Sequence, residues 1–241
     1  MERPLRIGVL ALQGAFREHV LVLRRLGAEV TEVRLPEDLD GLEGLVIPGG
    51  ESTTIMHLAG LYALDDAIRD YPGPILGTCA GMIVLDRNHL GVADLEVDRN
   101  AYGRQVKSFE AEIELAGEGP PLHGVFIRAP RIRELGPDVE VLGELDGEPV
   151  LVRDDRFLLT SFHPELTGDP RVHELFLEMV QDISRPPGAP RAKEASARRA
   201  GHPRYGQARS ATDPAASGVS LQRSPALGGS GRRPGGRDVG A

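Results

Sequence analysis

At 241 residues and 40% hydrophobic content, the chain can build one large domain or two small ones. Its 28 Lys+Arg and 36 Asp+Glu are unevenly spread: 11 basic and 3 acidic residues lie from Arg185 onward, leaving 17 and 33 before it. So acidic a body argues against nucleic acid as its main partner, and no apolar run approaches the roughly 20 residues that span a membrane.

From Met1 to Ser184 the pattern is globular, which predicts one domain over 1–184. Residues 185–241 are rich in Arg, Pro, Gly, Ala and Ser, a composition that predicts a disordered basic tail without a specific role. The lone cysteine, Cys79, excludes an internal disulfide, and Met1-Glu2-Arg3-Pro4 lacks a signal-peptide core, so a cytoplasmic protein is expected.

Taken in chain order, Ile7 to Leu12 is a continuous apolar run ending at Gln13-Gly14, as in a buried parallel strand. Phe16, Val20, Leu23 and Leu26 then recur at helical spacing, and Gly27 stops that helix. Strands are predicted over Glu29–Leu35 and Leu45–Ile47, the latter ending in Pro48-Gly49-Gly50-Glu51-Ser52. Ile55, Leu58, Leu61, Leu64 and Ile68 form one further helical stripe. Ile75-Leu76 leads into Gly77-Thr78-Cys79-Ala80-Gly81 and a second apolar run. Strand and helix alternate across the first 85 residues, the βαβ pattern of a doubly wound, mostly parallel α/β sheet with helices on both faces.

The second half reads as strands over Phe109–Leu115, Val125–Arg128, Glu140–Leu145, Pro149–Val152 and Arg156–Ser161, with Asp146-Gly147 as a hairpin turn. Asp169-Pro170 opens a last helix whose buried face is Val172, Phe176, Met179 and Ile183.

The chemistry converges on three loops at the carboxyl ends of strands, where open α/β sheets bind ligands. The Cys79 turn reads as a nucleophile elbow: glycines at 77 and 81 tolerate a strained turn, and the helix N-terminus favours a thiolate. A lone cysteine is also an ordinary small core residue. The second loop is Gly49 to Ser52. The third is Ser161-Phe162-His163-Pro164-Glu165, which supplies a base and a carboxylate to orient it. Together Cys79, His163 and Glu165 fill the three roles of a cysteine triad.

Gly77 to Gly81 with His163-Pro164-Glu165 resembles the class I (triad) glutamine amidotransferases, and more narrowly the glutaminase subunits of pyridoxal 5'-phosphate synthase. The narrower likeness rests on Ile7–Gly14 with Arg17-Glu18-His19, Pro48–Thr54, Arg99–Gln105, Gly124–Pro130 and Ser161–Thr167. The resemblance implies that Cys79 is the nucleophile, His163 the general base and acid, and Glu165 the orienting carboxylate. It implies an oxyanion hole from the N–H groups of Gly50 and Ala80. It assigns glutamine contacts to Gly50, Glu51, Ser52, Arg99, Ile127 and Arg128, with no metal and no cofactor. It also implies a barrel-shaped synthase subunit that takes the ammonia and joins it to ribose 5-phosphate and glyceraldehyde 3-phosphate. The segment Leu85–Gly91 is several residues shorter than the family pattern, trimming a surface loop or shortening the helix behind Cys79. Two other readings stand beside this one: a cysteine hydrolase of the same fold acting on other acyl groups, and a scaffold subunit of low activity.

Overall fold

The computed structural model describes residues 3–99, 108–117 and 119–184. The tail from Arg185 and residues 100–107, which include all of the Arg99–Gln105 stretch but Arg99, lie outside these described residues. In chain order the strands are β1 (Arg6–Leu10), β2 (Glu29–Val33), β3 (Gly44–Ile47), β4 (Ile75–Thr78), β5 (Leu95–Asp98), β6 (Phe109–Leu115), β7 (Leu122–Phe126), β8 (Arg131–Leu135), β9 (Glu140–Leu145), β10 (Glu148–Asp154) and β11 (Phe157–Thr160). The α-helices are α1 (Phe16–Arg25), α2 (Ser52–Leu61), α3 (Leu64–Asp70), α4 (Ala80–Leu85) and α5 (Arg171–Ser184).

Nine strands form one sheet in the order β2-β1-β3-β4-β11-β10-β9-β6-β7. The first five of that order pair in parallel, and the remainder add on antiparallel. Parallel strands are covered on both faces, which is why β3, β4 and β11 are buried at every position. Alternation sorts their side chains into two layers. Leu45, Ile47, Ile75 and Leu159 pack with residues of α2, α3 and α4. Val46, Leu76 and Leu158 face the other way, onto Val20 and Leu23 of α1 and Val172, Phe176 and Val180 of α5. Each fully buried aliphatic side chain of these layers contributes roughly 1.5–3 kcal/mol.

The structure departs from the sequence reading at several elements. The single stripe from Ile55 to Ile68 is two helices, because Ala63 takes a left-handed φ of 57° between them. Leu61, read as part of the stripe, is consequently 64% exposed. The strand expected at Val125–Arg128 lies three residues earlier, as β7, and Arg128 instead sits in a bend with φ 46°. Ile183 is exposed at the end of α5, not buried. The short β5 and β8 pair with each other in a small second sheet and carry too few alternating apolar residues to announce themselves.

Other elements agree. Asp146 and Gly147 both have positive φ, 53° and 78°, as a tight hairpin between β9 and β10 requires. Asp169 caps α5: its Oδ1 accepts from the Arg171 N–H at 3.0 Å. Helix α4 is six residues long. Its end is closed by the buried Asp86, whose Oδ1 faces the Asn88 N–H and His89 Nδ1 at 2.9 and 2.7 Å. The start of α4 remains pinned to the sheet through the Cys79 N–H, which donates to the Thr160 carbonyl at 2.8 Å.

Candidate active site

Adjacency in the sheet assembles the site. Strands β3, β4 and β11 are parallel neighbours, so their carboxyl-end loops converge. Thr78 stands opposite Thr160 in register, which sets Cys79, one residue beyond β4, beside the segment leading to His163.

Cys79 occupies the position before α4 with φ 49° and ψ −104°, a conformation costing a non-glycine residue about 1–3 kcal/mol. The elbow's strain therefore sits on the cysteine itself, not on the flanking glycines as the sequence suggested. Gly81 is needed for a different reason: a Cβ there would overlap the Ile47 carbonyl, so only glycine lets α4 approach β3 this closely. The Cys79 thiol lies 3.9 Å from the Ile127 carbonyl oxygen, bringing the bend after β7 to the site.

His163 and Glu165 follow β11, in and just before a one-turn 3-10 helix (Pro164–Leu166). His163 Nδ1 and Glu165 Oε1 are 2.7 Å apart, and both side chains are almost wholly buried. Burial alone would lower the pKa of His163. The Cys79 and Glu165 side chains beside it overcome that and push it up to about 10, favouring an imidazolium next to the Glu165 carboxylate. Burial likewise works against the charge on Glu165, but the neighbouring His19 and His163 hold its pKa below the usual carboxylate value. Gly49 packs against the imidazole so tightly that a Cβ would overlap His163 Cε1.

The Gly50–Ser52 loop is braced from behind. The Glu51 N–H donates to Gln13 Oε1 at 2.8 Å, the Ala15 N–H to the Gly49 carbonyl at 3.1 Å, and the Gly49 N–H to Thr78 Oγ1 at 3.0 Å. The Glu51 carboxylate caps α2 through the Thr53 and Thr54 N–H groups. The Thr54 hydroxyl and backbone hydrogen bonds lead the effects that lower its pKa to about 2. Arg99, one residue past β5, donates to Thr53 Oγ1 at 2.9 Å and approaches Glu51 Oε1 at 3.4 Å, so it joins the same loop. Arg128 is exposed in its left-handed bend, one residue beyond Ile127. Ser52 is buried at the first position of α2. Among the described residues no group of three acidic, histidine or cysteine side chains is placed to hold a metal, and no helix is long and apolar enough to cross a membrane.

Four residues around the site carried no role in the sequence reading: Gln13, Thr78, His19 and His173. The two histidines are completely buried and touch each other, His19 Nδ1 to His173 Nε2 at 2.9 Å. A signal for both exists. His19 falls on the Phe16–Leu23 stripe, and His173 is three, four and seven residues before Phe176, Leu177 and Val180, so helical spacing alone puts each on a buried face.

Comparison with known proteins narrows what such a site does. A family model described as the SNO glutamine amidotransferase family matches residues 9–182. The chain is 55% identical over 186 residues to the pyridoxal 5'-phosphate synthase subunit PdxT of Thermus thermophilus, covering 72% of this chain and 97% of that one. It is 49% identical over 187 residues to the PdxT of Mycobacteroides abscessus, covering 73% and 97%. A crystal structure described as a glutamine amidotransferase superposes with a TM-score of 0.68 at 51% identity, over 73% of this chain and 98% of the other. A GMP synthase subunit from Thermoplasma acidophilum reaches a TM-score of 0.62 at 21% identity, a likeness of fold alone.

Proposed function

Because the chain belongs to the SNO glutamine amidotransferase family, we propose that Cys79, His163 and Glu165 form the triad with which it hydrolyses glutamine. It is the glutaminase subunit of a pyridoxal 5'-phosphate synthase. The observation that carries the site assignment is the order Cys79, His163, Glu165: a nucleophile at a strained elbow, an imidazole beside it, and a carboxylate 2.7 Å behind.

In this reading the Cys79 sulfur, as thiolate, attacks the side-chain carboxamide carbon of glutamine. The tetrahedral oxyanion rests on the N–H groups of Gly50 and Ala80, the latter an unpaired donor at the start of α4. The imidazolium of His163 protonates the departing nitrogen, ammonia leaves, and a glutamyl thioester remains on Cys79. A water molecule gives a proton to His163 and attacks the thioester, releasing glutamate and regenerating the thiolate. Glu165 stays ionised throughout and holds the Nδ1–H tautomer of His163. Gly50, Glu51, Ser52, Arg99, Ile127 and Arg128 line the glutamine subsite, where an arginine suits the α-carboxylate through paired hydrogen bonds. The ammonia goes to a barrel-shaped synthase subunit docked over the site, in a cytoplasmic complex. The body over 1–184 carries this chemistry.

Glutamate release, measured with and without the synthase subunit, tests this reading. Hydrolysis that appears once the synthase is added is the expected result. Absence of hydrolysis in both conditions, with the complex still forming, would overturn it in favour of a non-catalytic scaffold.

A further inference from the structure

Behind the proposed triad lies a line of buried polar groups that the hydrolytic mechanism leaves unused. Glu165 turns Oε1 to His163, while its second oxygen, Oε2, is buried and has no aligned hydrogen-bond donor among the described residues. His19 Nε2 lies 3.3 Å from it. That same nitrogen is 3.2 Å from Thr78 Oγ1, on the residue before the nucleophile. The other ring nitrogen of His19 meets His173 Nε2 at 2.9 Å, and His173 Nδ1 is buried without a hydrogen-bond partner among the described residues.

These contacts settle the tautomers. Burial leads the effects that lower the pKa of both rings, that of His173 to about 3, which favours the neutral form of each, carrying one N–H. An ionised carboxylate only accepts, so the His19 proton belongs on Nε2, toward Glu165. Nδ1 of His19 is then an acceptor, and it receives the N–H of His173 Nε2. The bare lone pair falls on His173 Nδ1, which has no hydrogen-bond partner among the described residues. The opposite assignment would turn a lone pair of His19 toward a carboxylate oxygen and strand a buried N–H on His173, the costlier orphan.

We propose that His19 is a positioning residue for the dyad: held by His173, it sets its Nε2 edge 3.3 Å from Glu165 Oε2 and so steers the Glu165 carboxylate, whose Oε1 keeps His163 aimed at Cys79. The line His173, His19, Glu165, His163 joins α5 and α1 to the reacting side chains, so packing of two helices on one sheet face sets the angle of the catalytic imidazole. This rests on the triad reading above. The groups facing His19 are Glu18 on its own helix, Thr78 at the end of β4, Glu165 and His163 after β11, and His173 on α5.

The test compares His19→Gln and His19→Asn in the full chain, assembled with the synthase subunit. Glutamine carries an amide N–H to about the reach of imidazole Nε2, and asparagine stops near Nδ1. Both lose the ring, so a purely structural role costs them alike. His19→Asn is expected to lower kcat by about 10- to 100-fold through misplacement of His163, with KM for glutamine unchanged. Its acidic limb should also move to higher pH, because a carboxylate with one donor fewer binds a proton more readily. His19→Gln is expected to restore both kcat and the acidic limb. Equal kcat in the two variants, or a change in KM alone, would overturn the proposal. If neither variant folds, His173→Leu decides: a fall in kcat at constant KM supports the line, and an unchanged kcat overturns it. Cys79→Ala run alongside separates the two claims. An inactive Cys79→Ala with a fully active His19→Asn removes only the role of His19, and an active Cys79→Ala removes the triad.

Discussion

A cysteine with φ 49° and ψ −104° is held where a non-glycine residue does not rest by choice, and three surrounding contacts explain why it stays. Its N–H is tied to Thr160, Gly81 brings α4 hard against Ile47, and Gly49 leaves room for the His163 ring and no more. The protonation of His163 has a consequence for stability that can be measured. Its pKa is raised from the ordinary 6.5 to about 10, so the stabilisation it supplies is complete below about pH 6.5 and is lost as pH rises through about 10. The difference in melting temperature between the native chain and His163→Gln should therefore be largest near pH 6 and shrink steadily toward pH 10. A constant difference across that range would mean that His163 is not charged in the folded protein.

At the scale of elements, what could be read in advance was whatever carries its own local signal. Six consecutive apolar or small residues announced β1, and a glycine and an aspartate announced the hairpin at 146–147. The Cys79 elbow and the His163–Glu165 pair were legible because the one cysteine sits in a glycine-flanked turn after an apolar run, and a histidine stands two residues before a glutamate just past another. What escaped was decided elsewhere in the molecule. The break between α2 and α3 is invisible to a periodicity argument, since Leu61 and Leu64 keep helical spacing across it while Ala63 turns left-handed. The small sheet of β5 and β8 exists through pairing of distant segments, and His19 and His173 gain meaning only when α1 and α5 are packed together. The break suggests its own substitution. A left-handed alanine costs about 1–2 kcal/mol, and glycine removes that strain while adding about 0.4–1 kcal/mol of unfolded-state entropy. Ala63→Gly should thus stabilise the protein by about 0.5–1 kcal/mol in denaturant unfolding; destabilisation would show that the α2–α3 turn is not built as described.

Across the whole molecule, the two halves of the sheet divide the labour. The parallel strands β1, β3, β4 and β11 bring three loops to one edge, and the antiparallel strands beyond β11 deliver Ile127 and Arg128 to the same place from the far side. The short α4 fits this plan, because the elbow is secured by Thr160 and Ile47 and asks little of the helix behind it. The acidic body and the basic stretch from Arg185 are distinct in composition, and every residue of the proposed triad lies within the former. The central claim is that glutamine is hydrolysed through a covalent bond to Cys79. Its most direct test is glutamate release by the Cys79→Ala chain assembled with the synthase subunit. The account predicts that release is abolished while the complex forms as before; turnover near the native rate by that chain would contradict it.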